Sequence, residues 1–156
     1  MSNERWAASG VPCWLDEDAL YAGIDRLPLV GMNFTDATVV PDVAILIPPR
    51  SVFVHPAEDK LAIVAWKSPI EGFARVTGLV SDLDPKCDNG IIWSVDHGAQ
   101  TLRSGTLPNA GTPQPFQLRR VQVDVGDVLY FVVDAGAGDW ACDSTGLSVS
   151  ISEVGS

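Results

Sequence analysis

The sequence predicts an all-β protein, folded as a sandwich or barrel. Three observations carry this reading. Short runs of β-branched and aromatic residues recur between clusters of turn formers, at the roughly 8–12-residue spacing of all-β domains. No convincing long helical period is present. The last run, 147–154, is the clearest alternation in the chain: Leu147, Val149 and Ile151 point one way, and Ser148, Ser150 and Ser152 the other. Such alternation marks a strand with one buried and one wet face.

The elements follow in order. Residues 1–32 are expected to form an irregular N-terminal arm, with the sandwich domain spanning 33–156. Asp16 is placed to cap a short helix over 17–22, which Gly23 would weaken or end. Trp6 and Trp14 in this arm need burial, either over the sandwich or on another subunit. Strands at 38–40, 43–47 and 52–54 are punctuated by Pro41 and by Pro48-Pro49. Proline removes a ladder donor, so these strands should run along edges or end at the prolines.

From Leu61 the pattern becomes regular. Residues 61–66 are apolar at nearly every position, as expected of a central strand. In 73–80, Ala74, Val76 and Val80 share one face and Arg75 and Thr77 the other. In 91–95, Ile91, Trp93 and Val95 share a side, and 101–107 is a weaker strand. In 116–125 the parity slips: Phe116 and Leu118 are even, whereas Val121, Val123 and Val125 are odd. A β-bulge near Arg119-Arg120 reconciles them. Strands 121–125 and 128–133 flank a tight turn at Gly126-Asp127. If successive strands alternate in direction, loops 55–60, 81–90, 108–115 and 134–146 gather at one end. The turns 68–72, 96–100 and 126–127 gather at the other, and function in sandwiches tends to reside on the longer loops.

Composition bounds the function. At 156 residues the chain is one domain, long enough to bury about 70% of its unfolded surface. Its 20 acidic and 10 basic residues give a net charge of −10. That argues against nucleic acid, whose binders need a basic footprint, and against anionic membrane surfaces. No apolar run reaches the roughly 18 residues of a membrane span. The start, MSNERWAASG, shows no basic segment followed by an apolar core, so no secretory signal is visible.

Several stretches resemble a known group. VFVHPAEDKLAIVAWKSPIEGFARVTGLVSDLD, DNGIIWSVDHG, VDVGDVLYFVVDAGAG and CDSTGL occur in that order. Together they resemble bacterial β-sandwich modules of the carbohydrate-binding, jelly-roll type, found as appendages of secreted or surface proteins. The signature is His55-Pro56, a Val64-Ala65-Trp66 strand closed at Ser68-Pro69, the Gly126-Asp127 turn before an aromatic strand, and Asp143-Ser144-Thr145-Gly146-Leu147. It covers roughly 51–154 and departs at Ala57-Glu58, where these modules usually carry Gly-Pro. The resemblance implies a jelly-roll sandwich of two antiparallel sheets, a lectin-like role and an extracellular or surface location.

The loop 134–146 concentrates the unusual chemistry: Asp134, Asp139 and Asp143 with Trp140 and Cys142. Trp140 offers a ring for stacking on a sugar or for packing, with Asp139, Asp143 and Asp88 as polar ligand contacts beside it. Asp82, Asp84, Asp88 and Asp134 provide the oxygen ligands a Ca²⁺ ion prefers, though aspartates in loops ordinarily cap backbone amides. Cys87 and Cys142 fall at the same end and are candidates for a disulfide, leaving Cys13 as the odd thiol. His55 and His97 fall at opposite ends, which argues against a shared metal or catalytic dyad. No Gly-x-Ser-x-Gly elbow occurs. The expected function is therefore a non-catalytic binding module, with carbohydrate as partner through the loop end. The alternative is a structural or assembly subunit, such as a homo-oligomer held by protein contacts of the arm and loops.

Overall fold

The computed structural model describes residues 2–6, 11–16, 20–21, 25–42, 45–86, 89–136 and 139–155. They form two main antiparallel sheets. The larger has seven strands in the order β1(Ser2–Trp6), β2(Val11–Leu15), β5(Leu29–Asn33), β8(Ser51–His55), β15(Thr145–Val154), β10(Gly72–Asp82) and β13(Gln114–Val123). The smaller has four: β12(Gln100–Leu107), β11(Ile91–His97), β14(Val128–Asp134) and β9(Ala62–Lys67). Two short pairs, β3(Leu20–Tyr21) with β4(Asp25–Arg26) and β6(Val39–Asp42) with β7(Ile45–Ile47), complete the described strands.

The main core lies between the two sheets, where period-two alternation delivers the expected faces. Ala74, Val76 and Val80 of β10 and Ile91, Trp93 and Val95 of β11 all point into it and are buried. The slip in β13 is a bulge. Ala74 pairs with Val121 and Val76 with Leu118, so Arg75 alone opposes Arg119 and Arg120. The extra residue lets Phe116 and Val121 both reach the core despite their opposite parity.

A second core lies on the outer face of the large sheet. Consecutive strand residues point to opposite faces. Phe53 and Val54 of β8 are both 0% exposed, yet Val54 belongs to the inter-sheet core and Phe53 to the second one. The second core also takes Val11, Cys13 and Leu15 of β2, Leu29 of β5, and Ile45 and Ile47 of β7, with Leu83 over them. Cys13, Gly31 and Phe53 stand in one row across three strands. Phe53 lies across Gly31, where a Cβ would overlap the Phe53 ring and the Cys13 sulfur.

Several expectations change here. The segment 1–32 is not an irregular arm where it is described, because β1, β2 and β5 extend the large sheet. The helix expected over 17–22 is replaced at Leu20–Tyr21 by a strand paired with β4. Strand β9 is an edge rather than a centre. Its alternate residues Ala62, Val64 and Trp66 pack on the core, and Ile63 is left 41% exposed. Conversely β8, read as an edge or proline-limited strand, is central in its sheet and ends at Pro56. On β15, Leu147 is buried and Ile151 partly so, but Val149 is 36% exposed, because it lines an open cleft with Val64 and Trp66 of β9.

The row at Gly31 generates a test. Gly31→Ala forces an overpacked contact and is expected to lower unfolding stability by about 1–3 kcal/mol. Phe53→Ala is expected to cost about 3–5 kcal/mol. Urea denaturation of the two variants checks both values.

Candidate functional site

The two ends of the sandwich differ, and each is locked by identifiable bonds. At the loop end, Asp82 ties two loops together. One carboxylate oxygen accepts from the amide of Asp84 at 2.8 Å and the other from the amide of Ala110 at 2.7 Å. The Leu83 amide donates to the Ser144 carbonyl at 2.8 Å, joining the loop after β10 to the start of β15. Asp82, Asn109, Cys142 and Asp143 line a crevice of only about 10 Å³. That is no more than the space of one water molecule.

Trp140 stands at the loop end, half-buried. Its inner part packs on the second core, and its ring centroid lies 6.2 Å from that of His55, tilted by 48°. His55 is itself buried at the end of β8, with Nδ1 2.8 Å from the Pro56 carbonyl oxygen. The loop 56–61 is closed by the Ala57 amide donating to the Lys60 carbonyl at 2.9 Å. Lys60 also reaches Asp16 at 2.7 Å, which fastens the N-terminal segment to this end. Convergence of the loops at 55–60, 81–90, 108–115 and 139–146 thus follows from strands that alternate in direction.

The predicted site residues fare differently. Asp139 is exposed beside Trp140, and its carboxylate accepts from the Ala141 amide at 3.2 Å. Asp143 is 2% exposed and lies beneath the surface rather than on it. Asp134 caps the Gly136 amide at 2.8 Å. Asp84 is buried at 8% exposure. Asp88 and Cys87 lie outside the described residues. Cys142 is partly buried in the left-handed region, at φ 63°. Cys13 is a buried thiol whose Sγ lies 3.6 Å from the Val11 carbonyl oxygen. Among the described residues no three His, Cys, Asp or Glu side chains group as a metal site, and Asp82 and Asp134 spend carboxylate oxygens on backbone amides. Asp88, the fourth residue named for calcium, lies outside the described residues.

The turn end carries a clamp that residue type alone did not reveal. The Ser68 amide donates to the Asp127 carbonyl at 2.7 Å, and the Gly126 amide to the Ser68 carbonyl at 2.9 Å. Asp127 Oδ2 accepts from the Asp124 amide and from His97 Nε2, both at 3.0 Å. Gly126 sits at φ 97°, a conformation that favours glycine. The Ser68-Pro69 and Gly126-Asp127 motifs are therefore two halves of one lock, with His97 pinning the β11–β12 turn to it. The signal was present in the Gly-Asp dipeptide, but its partners are 30 and 59 residues away.

No protein-family model matches the chain, and no curated protein does. Three solved structures are similar in shape. One holds the M60 catalytic domain with the CBM51-1 and CBM51-2 domains of Clostridium perfringens ZmpB, with a TM-score of 0.50 and 12% identity over 64% of this chain. This chain spans 10% of the length of that protein. A CBM51 from Clostridium perfringens GH95 in complex with methyl-galactose matches at TM-score 0.49 and 12% identity, covering 86% of this chain and 84% of that one. TmCBM61 in complex with β-1,4-galactotriose matches at 0.38 and 13%, covering 95% and 85%. The first likeness is one of fold: an all-β sandwich.

The clamp predicts a pH response. The Asp124 amide, followed by the hydrogen bond and charge of His97, holds the Asp127 carboxyl below its ordinary value of 3.8, with burial opposing. A carboxylate depressed in the folded state adds stability that is complete above the unfolded value and lost as pH falls through the folded one. Asp127→Asn is therefore expected to lower the melting temperature at neutral pH and to flatten its decline below pH 3.8. Thermal melts down to about pH 2 check this, and parallel curves for the two proteins would sink it.

Proposed function

We propose that this chain is a non-catalytic carbohydrate-binding module whose ligand contacts lie on the loop end. The observation that carries the reading is Trp140, a half-exposed ring held in place by the second core and by His55, with the exposed Asp139 beside it. A ring that is already oriented loses little freedom on binding. It offers an apolar face for a sugar, while a neighbouring carboxylate accepts hydroxyl protons. Asp143, buried, acts as a support for this loop rather than as a contact. The shared fold adds to the reading, because the ZmpB structure carries CBM51 domains next to a catalytic one.

Affinity electrophoresis against a panel of polysaccharides tests this. The chain is expected to be retarded by at least one of them, and Trp140→Ala to lose about tenfold or more in affinity, the scale of one lost aromatic stacking contact, with an unchanged circular dichroism spectrum. The second reading, an assembly subunit, draws on Trp14, which is 40% exposed on the inner face of β2, beyond the smaller sheet. Light scattering on the same sample separates the two: a stable oligomer indifferent to every polysaccharide would overturn the binding reading.

We further propose that Cys87 and Cys142 are cross-linked, which would brace the same loop end. Closing the chain between positions 87 and 142 is worth roughly 4 kcal/mol on the chain-entropy estimate. Thiol titration of denatured, unreduced protein is then expected to count a single thiol, from Cys13, and a count of three would exclude the bond.

A further inference from the structure

The edges of the two sheets meet at the loop end and part at the other. Strands β12 and β13 are joined where Gln114 accepts from Trp93 Nε1 at 3.0 Å and donates to the Thr106 carbonyl. Toward the turn end they separate around a cleft of about 480 Å³. That volume is within the range of small-ligand sites. Leu102 and Leu118 contribute apolar surface, while Arg119, Gln100, Gln122 and His97 contribute polar groups around it.

The bulge concentrates positive charge beside this cleft. Arg119-Arg120 is the only pair of adjacent basic residues in a chain of net charge −10. Both oppose Arg75 on β10. Like charges placed opposite one another destabilise a sheet. Arg120 is engaged, with its guanidinium carbon 3.7 Å from the Phe73 ring centroid. Arg119 makes no ion pair among the described residues. Asp127, which also borders the cleft, already accepts from His97 and from the Asp124 amide. Asp124 adds a hydrogen-bond acceptor at the rim. Guanidinium and amide donors, a carboxylate acceptor and an apolar surface together suit a ligand with a carboxylate, several hydroxyls and an apolar ring face.

We propose that this cleft is a second saccharide site, selective for a sugar bearing a carboxylate, with Arg119 as the group that recognises the carboxylate. The proposal rests on the carbohydrate-binding reading above, at a separate place on the molecule. Guanidinium pairs with a carboxylate through two parallel hydrogen bonds, which gives geometry as well as charge.

The test is a titration of the full chain with glucuronate, glucose and sulfate, followed by amide NMR. Glucuronate is expected to shift residues 97–102 and 118–124, glucose to shift none of them, and sulfate to compete only weakly. Arg119→Ala and Gln122→Ala are each expected to weaken glucuronate by about tenfold or more, the scale of a charged hydrogen bond for the first. Trp140→Ala is expected to leave it unchanged. Equal binding of glucose, equal binding of sulfate, or indifference to both cleft variants would overturn the proposal. Glucuronate bound in the cleft without retardation by any polysaccharide would instead remove the loop-end reading and leave the cleft standing.

Discussion

Burial of β8 on both faces is the constraint on which the rest of the structure depends. A strand with one wet face needs one partner layer, whereas Phe53 and Val54 need two. The four-stranded sheet covers Val54, and β7 with Leu83 builds the layer on the side of Phe53. Because Phe53 lies across Gly31 to Cys13, it also draws β5 and β2 into the sheet. The N-terminal segment is thereby part of the architecture, and the loop end inherits a floor on which Trp140 rests.

The motifs that suggest a family are largely devices for closing the two ends. Ser68-Pro69 and Gly126-Asp127 hold each other by backbone hydrogen bonds. His55 ends the doubly buried strand and meets Trp140. Ser144, in the closing Asp-Ser-Thr-Gly-Leu run, takes the Leu83 amide. Such residues specify where loops are anchored. They do not by themselves choose a ligand, which is why a shared signature speaks to fold before activity.

Legibility varied from element to element for physical reasons. The buried faces of β10 and β11 could be read directly, since alternation is a local property. The bulge at Arg119-Arg120 was equally legible, because apolar residues of opposite parity reach one face only if the strand carries an extra residue between them. The apolar run of β9 misled in the opposite way. Hydrophobic residues at an edge look the same in one dimension as those at a centre, and Ile63 is exposed because it points away from the core, as does Ile92 of β11. At the candidate site, Trp140 and Asp139 stood out by residue type, whereas nothing in residue type distinguishes the buried Asp143 from the exposed Asp139.

By itself the sequence determined the strands from about residue 38 onward, most of their alternating faces and the turns between them, because each depends on residues close together along the chain. The tertiary structure alone decided that a second core exists, that the N-terminal segment joins the sheet, that Asp82 bridges to the Ala110 amide, and that a cleft opens beside the bulge. Each of these depends on which strands become neighbours. That outcome is set by burying apolar faces across long separations, and no short window of residues contains it.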